Sequence, residues 1–348
     1  MDDQLSSDIQ KIRDQLNSAT LPEELKAKAG DMISRLGRSA KYGSYSTEFE
    51  MVSHYLDWIT NMPWSKTTDD ILDIGHVKQV LDKHHYGLEQ LKERFLEYMS
   101  LMILNRQKNE NTYRAPVLLL VGLVGTGKTT ISISIAEALG RKMVRIPFGG
   151  MSSALDLRGQ SRIHSESEPG QIIKGIRRAG VKNPVILLDE IDRVADSARG
   201  EIMGVLVELL DPAQNNSFSD HYIDFPFDLS QALFIATANN TTHISTAVMD
   251  RLEPVIMPSY TDEEKIHIAR EYILPAQLER AALPEGALKI DEAVWAKITR
   301  PLGFDAGIRT MERTIEGIVR KVAKMIVEGK GREFIINESN VKQFLPTY

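Results

Sequence analysis

Gly122-Leu123-Val124-Gly125-Thr126-Gly127-Lys128-Thr129, with Thr130 behind it, has the residue types and spacing that cradle phosphates. Glycines let the backbone fold round the oxygens, so that successive N–H groups point inward at a helix N-terminus. Lys128 then reaches the β- and γ-phosphates, and the Thr129 hydroxyl ligates Mg2+. A chain of this length and ordinary glycine content would match the pattern by chance about one time in a hundred. Val185-Ile186-Leu187-Leu188-Asp189-Glu190 supplies acids at the end of an apolar strand. That places Asp189 at the carboxyl edge of a sheet, where it can hold Mg2+ through water. Glu190 is then placed to polarise an attacking water as general base. Acids also favour the first turn of a helix, but a phosphate loop upstream gives these two a partner. Ala232 to Asn239 is a third apolar strand, ending in an amide. Asn239 can hold a water or the γ-phosphate without adding negative charge, or it can be a turn residue; the residues alone leave both readings open.

Short apolar runs must carry these groups. Val117 to Gly122, Val185 to Leu188 and Leu233 to Ala236 lie between helical patterns. This is what a parallel sheet covered by helices on both faces produces. Ahead of them, Leu5, Ile9, Ile12 and Leu16 recur at helical spacing, and Leu25, Ala29, Met32, Ile33 and Leu36 predict a second helix. Thr20-Leu21-Pro22-Glu23 resembles a capping box before it, and Gly37 is the expected stop. A loop is expected over Ser39 to Ser46 and a third helix over Glu48 to Thr60, ended by Pro63. This region reads as a small helical bundle, a spacer or a self-association element. From Asp262 helical periodicity returns through Ile266, Ala269 and Ile273 and again from Ile308 to Val322, and Glu333 to Ile336 predicts one short strand. No internal repeat or low-complexity tract is present.

The 348 residues are 42% hydrophobic and 26% charged, enough for about two domains with ordinary cores. With 42 basic against 48 acidic residues, the net charge of −6 opposes whole-surface nucleic-acid binding. Cysteine is absent, which excludes thiol nucleophiles, zinc-thiolate sites and disulfides and makes the cytoplasm the default location. No apolar run approaches the roughly 20 residues that span a bilayer, and Met1-Asp2-Asp3-Gln4 does not open a signal peptide.

Beyond the nucleotide motifs, a series of segments in order resembles the ATPase module of the Lon protease family, within the AAA+ class. It includes Tyr55-Leu56-Asp57-Trp58, Pro63-Trp64, His85-Tyr86-Gly87-Leu88, Ile135 to Arg141, Leu187 to Asp192, Leu210-Asp211-Pro212, Phe218 to Tyr222, Pro226 to Ser230 and Phe234 to Asn239. The resemblance implies an α/β AAA+ P-loop ATPase, its parallel sheet covered by helices. A helical N-terminal segment (1–62) precedes the nucleotide-binding domain (63–257), and a small helical lid domain (258–348) follows it. It implies that His85, Tyr86 and Gly87 lie against adenine and that Asn239 takes the sensor-1 role. Arg251, in Met249-Asp250-Arg251-Leu252-Glu253, resembles an arginine finger directed at a neighbouring subunit's γ-phosphate. Arg309, in Gly307-Ile308-Arg309-Thr310-Met311, matches the sensor-2 arginine. Without the resemblance both would read as surface arginines. ATP and Mg2+ are the implied cofactors. A finger acting in trans implies a homo-oligomeric ring, hexameric as in the family.

Two departures stand out. The sequence ends near where a Lon peptidase domain would begin, so no Ser-Lys dyad and no peptidase activity are expected from these residues. The substrate-gripping loop also differs: Arg162-Ile163-His164-Ser165-Glu166-Ser167-Glu168 precedes Pro169-Gly170, with His164 and Ser165 where the family has an aromatic-aliphatic pair. Burying an apolar side chain is worth roughly 1.5–3 kcal/mol, which Ser165 and Glu166 do not offer. Either the loop has an altered function, or gripping has shifted, for example to Ile163. The expected function is ATP hydrolysis that drives remodelling or threading of protein substrates, with any peptidase a separate partner. The alternative is a nucleotide-gated assembly or regulatory module that binds a partner protein. No membrane partner is expected, and a nucleic-acid motor is the weakest reading.

Overall fold

The computed structural model of the chain describes residues 2–40, 46–107, 116–164, 166–300 and 307–346. Its centre is a five-stranded parallel sheet: β1 (Val117–Val121), β2 (Met143–Pro147), β3 (Val185–Asp189), β4 (Leu233–Ala238) and β5 (Leu252–Ile256), in the order β2-β3-β4-β1-β5. The three central strands are the three apolar runs, buried nearly throughout because helices cover both faces. The edge strands β2 and β5 were not expected. Met143-Val144-Arg145-Ile146-Pro147 alternates buried and exposed positions, and Pro254 lies within β5. A proline in a strand is tolerated at a sheet edge, where a lost donor disturbs only one ladder.

Three N-terminal helices, α1 (Asp2–Ser18), α2 (Glu23–Ala40) and α3 (Ser46–Thr60), precede the sheet. Gly37 does not end α2, which runs on to Ala40. A glycine weakens a helix by about 1 kcal/mol but keeps its N–H, so it need not break one. Pro22, rather than Thr20, occupies the cap position, its carbonyl accepting from the Lys26 N–H at 2.9 Å. Of the expected loop, 41–45 lie outside the described residues, and its flanks are helical. These helices do not form a separate core. Leu25, Ile33, Leu56 and Ile59 belong to one buried cluster with Ile186, Leu188, Phe218 and Phe227 of the α/β unit. The Tyr55 hydroxyl donates to the Ile223 carbonyl at 3.1 Å, and the Arg177 guanidinium lies 4.2 Å over the Trp58 ring. A spacer reading is therefore replaced by helices docked on the α/β unit.

Two helices, α4 (Ile74–His84) and α5 (Glu89–Gln107), lead into β1, and α6 (Lys128–Leu139) follows it. After β5 comes a helical unit with its own core of Trp295, Met311, Ile315, Ile318, Val322 and Phe344. Its longest helix is Arg309–Val327. The expected strand, observed at Phe334–Ile336, pairs in parallel with Leu288–Ile290, a three-residue partner too short to announce itself by periodicity. Among the described residues, no helix is long and apolar enough to cross a membrane.

Candidate functional site

The chain leaves β1 between β4 and β5 and opens onto the carboxyl edge of the sheet, where open α/β sheets bind ligands. Gly122 starts the turn: a Cβ there would fall 2.7 Å from both the Cβ and the carbonyl oxygen of Met257. Gly125 and Gly127 have φ of +84° and +92°, the left-handed region that side chains disfavour. The backbone thus curls into the start of α6 at Lys128. The buried Lys128 ammonium donates to the carbonyls of Gly122 (2.5 Å) and Leu123 (3.0 Å) and to Asn239 Oδ1 (3.1 Å). Burial lowers its pKa, while the nearby Asp192, Glu190 and Asp189 oppose that shift. The Thr126 and Thr130 hydroxyls donate to the carbonyls of Leu123 and Gly127, each at 2.9 Å. Thr129 is half-buried in the first turn.

Asp189 ends β3 and is buried. Its Oδ2 accepts from Arg145 of the adjacent β2 (Nε, 2.7 Å), and its Oδ1 accepts from the Thr237 hydroxyl at 2.6 Å. Glu190 follows with φ 58° and ψ 51°, a left-handed conformation unusual for a side chain of this size. Asp192 Oδ2 accepts from the backbone N–H groups of Asn239 (3.1 Å) and Asn240 (3.3 Å). With its Oδ1 turned to Lys128, Asn239 keeps its Nδ2 buried without a partner, as is Asp192 Oδ1. Buried polar atoms left unpaired are costly. An orphan donor beside a lysine at the end of a glycine-rich loop suits phosphate oxygens, so these residues fit a nucleotide. Thr237, Asp192 and Arg145 were not singled out from the sequence. Alternation along β4 from Asn239 back to Thr237 was the one available signal.

The helical unit closes over the loop. The Ile308 N–H donates to the Gly125 carbonyl at 3.1 Å, and the Tyr260 hydroxyl reaches the Thr126 carbonyl at 3.3 Å. A Cβ on Gly307 would lie 2.5 Å from the Val124 carbonyl, so glycine permits this approach. Arg309 begins its helix here with its Cβ against Gly125 and its side chain exposed. On the other flank, His85 is buried, its Nε2 2.9 Å from the Ser134 hydroxyl of α6. Burial, with His84 and Lys92 nearby, lowers its pKa from 6.5 to about 4. Its ring therefore anchors α4 to α6, and Tyr86 is the exposed member of the segment, 4.1 Å from the His267 ring. Gly87 makes the turn at φ +66°.

Arg251 is not brought to this loop. It precedes β5, whose first residue pairs with Val117 at the start of β1. A strand of that length spans roughly 16 Å, so Arg251 sits at the opposite edge of the sheet. There its guanidinium donates to Asp211 (2.8 Å) and the Ala247 carbonyl (2.8 Å), and it holds the Asp211 carboxyl below its usual pKa. The candidate gripping loop projects from a stem closed by the Gln160 N–H to the Glu168 carbonyl (3.1 Å). Asp220 fixes its base by accepting from the Gly170 N–H at 2.7 Å. Ile163 is 86% exposed, and His164 and Glu166 are exposed beside it. Ser165 lies outside the described residues. Arg162 stacks 3.9 Å over the Tyr55 ring of α3.

Residues 118–260 match the family described as ATPase family associated with various cellular activities (AAA), and residues 279–335 match the Lon protease AAA+ ATPase lid domain. The chain is 43% identical over 338 residues to a Lon protease of Lawsonia intracellularis, covering 97% of this chain and 40% of that protein. It is 40% identical to a Lon protease of Bacillus thuringiensis and 39% identical to Lon protease 2 of Thermus thermophilus, each over 97% of this chain and 42% of the relative. The chain thus spans about two-fifths of the length of these curated relatives.

Proposed function

From the premise that the chain carries an AAA ATPase domain followed by a Lon-type lid domain, we propose that it binds ATP with Mg2+ at the end of β1 and hydrolyses it. In this reading a homo-oligomeric ring, hexameric as in the family, uses that hydrolysis to remodel or thread protein substrates. The observation that carries it is the meeting of Lys128, Asp189, Glu190 and Asn239 at one sheet edge, with the Asn239 Nδ2 buried there without a partner.

Lys128 exchanges its loop carbonyls for phosphate oxygens, a stronger pairing because both partners are charged. Thr129 and Asp189 hold Mg2+, which neutralises charge on the phosphates when bound. Glu190 accepts a proton from the attacking water. Asn239 donates through Nδ2, since Lys128 already holds its oxygen. Arg309 enters from the lid, and Tyr86 and Gly87 flank the base, with His85 holding them from behind. Arg251, facing away from its own loop, serves the neighbour's nucleotide as an arginine finger.

This stretch supplies the mechanical part of such an activity. The polar loop residues His164, Glu166 and Glu168 favour one second reading, a nucleotide-gated module that binds a partner without threading. The exposed Ile163 supports threading. Phosphate release by the purified chain with ATP and Mg2+ tests the core of the proposal. Hydrolysis that disappears in Lys128→Ala is expected, and no hydrolysis at any protein concentration refutes it.

A further inference from the structure

Thr237 is the penultimate residue of β4 and Asn239 directly follows the strand, so both lie at its carboxyl end, Asn239 against Lys128 and Thr237 against Asp189. Thr237 is fully buried. Its hydroxyl joins two groups that the hydrolysis reading treats separately. The oxygen accepts the Glu190 backbone N–H at 2.8 Å, and the hydrogen goes to Asp189 Oδ1 at 2.6 Å. The bonding sense is fixed, because an amide N–H can only donate and the carboxylate can only accept.

We propose that Thr237 is a positioning residue for ATP hydrolysis, its hydroxyl tying the metal-side carboxylate of Asp189 to the peptide that carries the base Glu190. The inference rests on the ATPase reading. The Glu190 backbone is the observation that makes it more than packing. A non-glycine residue in the left-handed region persists only where its surroundings over-determine it, and such residues cluster where chemistry is done. The Glu190 backbone is held at its N–H by Thr237 and at its carbonyl by the Arg193 N–H at 2.9 Å, while the preceding Asp189 carbonyl accepts from the Phe148 N–H at 2.8 Å. The Arg193 bond is an ordinary turn bond. The Thr237 bond reaches across to the neighbouring strand and fixes where the Glu190 side chain starts. The same hydroxyl takes up Asp189 Oδ1, leaving Oδ2 with Arg145 as the edge of the carboxylate that can exchange partners. Arg145 is largely exposed on β2 and can leave without a buried cost.

Serine keeps the hydroxyl, alanine removes it, and valine keeps the threonine shape without it. The test compares Thr237→Ser, Thr237→Ala and Thr237→Val in the full chain, measuring kcat, KM, affinity for a fluorescent ATP analogue and the Mg2+ dependence. Thr237→Ser is expected near the parent rate. Thr237→Ala and Thr237→Val should lose about tenfold or more in kcat, with nucleotide affinity changed less than about threefold and a higher half-saturating Mg2+ concentration. Because Ser and Ala differ only by the hydroxyl, their comparison stands even if the valine variant does not fold. Equal kcat in the Ser and Ala variants overturns the inference, as does loss of nucleotide binding in step with hydrolysis, which would make Thr237 structural. A parent chain that hydrolyses no faster than Glu190→Gln instead overturns the ATPase reading itself, so the two failures are distinct.

Discussion

Lys128 and Glu190 lie at the same sheet edge but do different work, and single substitutions separate them. Lys128 is a buried cation with three acceptors around its ammonium. Removing it takes away the charge that meets the phosphates, so Lys128→Ala should lower ATP affinity by about 3 kcal/mol, more than a hundredfold. Glu190 is half-exposed, its carboxylate 3.8 Å from the Arg193 guanidinium. Glu190→Gln keeps its shape but cannot take a proton. Nucleotide affinity should therefore stay within about threefold while steady-state hydrolysis falls by about a hundredfold. Equilibrium binding of a fluorescent nucleotide beside phosphate release checks both, and equal loss of affinity in the two variants contradicts the division. The positions of these two residues at one sheet edge were legible from spacing alone, because a glycine-rich loop after a strand and a strand-end acid are local patterns. Thr237 and Asp192 were not. What matters about them is a bond across strands, and one sequence does not show which strand lies beside which.

At the scale of elements, the three central strands were legible and the two edges were not. Burial on both faces writes a continuous apolar run, whereas an edge strand such as Leu252–Ile256 can hold a proline and a glutamate and still pair. The same limit hid the docking of α1–α3, since an apolar stripe names a face but not its partner. His85 shows how an element junction becomes a measurable property. Its ring, between α4 and α6, titrates near 4 in the folded chain against 6.5 in the unfolded one. The folded state thus holds His85 neutral, and its contribution is fully present above pH 6.5. As pH falls from 6.5 towards 4 the unfolded chain gains the proton first, and stability on the order of 3 kcal/mol is lost. Below 4 both states are protonated and this loss stops growing. His85→Gln cannot titrate, so its urea-denaturation free energy should fall less steeply over that window. Identical slopes in parent and variant contradict the buried-neutral assignment.

The whole molecule has a polarity. The phosphate loop, Asp189, Glu190 and Asn239 occupy one edge of the sheet, and Arg251 occupies the other, held by Asp211. If Arg251 serves a neighbour, hydrolysis per subunit should rise with protein concentration. Mixing Arg251→Ala with Lys128→Ala chains should then restore part of the activity each lacks, because one joint can pair an intact loop with an intact finger. Additive activity in the mixture contradicts action in trans. The loop between Gln160 and Glu168 faces a different test. Its stem is rigid, closed by the Gln160–Glu168 backbone bond and by Asp220, so substitutions at its tip should leave the phosphate site undisturbed. Of its exposed side chains, Ile163 alone is apolar, and His164 and Glu166 offer no comparable contact area. Gripping an unfolded chain depends on apolar contact, worth roughly 1.5–3 kcal/mol per buried side chain. A ring with this loop should therefore hydrolyse ATP yet unfold stable proteins poorly. The triple change His164→Tyr, Ser165→Ile and Glu166→Gly should raise unfolding per ATP hydrolysed while leaving basal hydrolysis nearly constant. If the loop instead reads one partner, the same change should weaken that partner's binding and leave unfolding no better. Brisk unfolding of several unrelated proteins by the natural loop defeats both expectations, and leaves Ile163 as the gripping side chain, which Ile163→Ser should then disable.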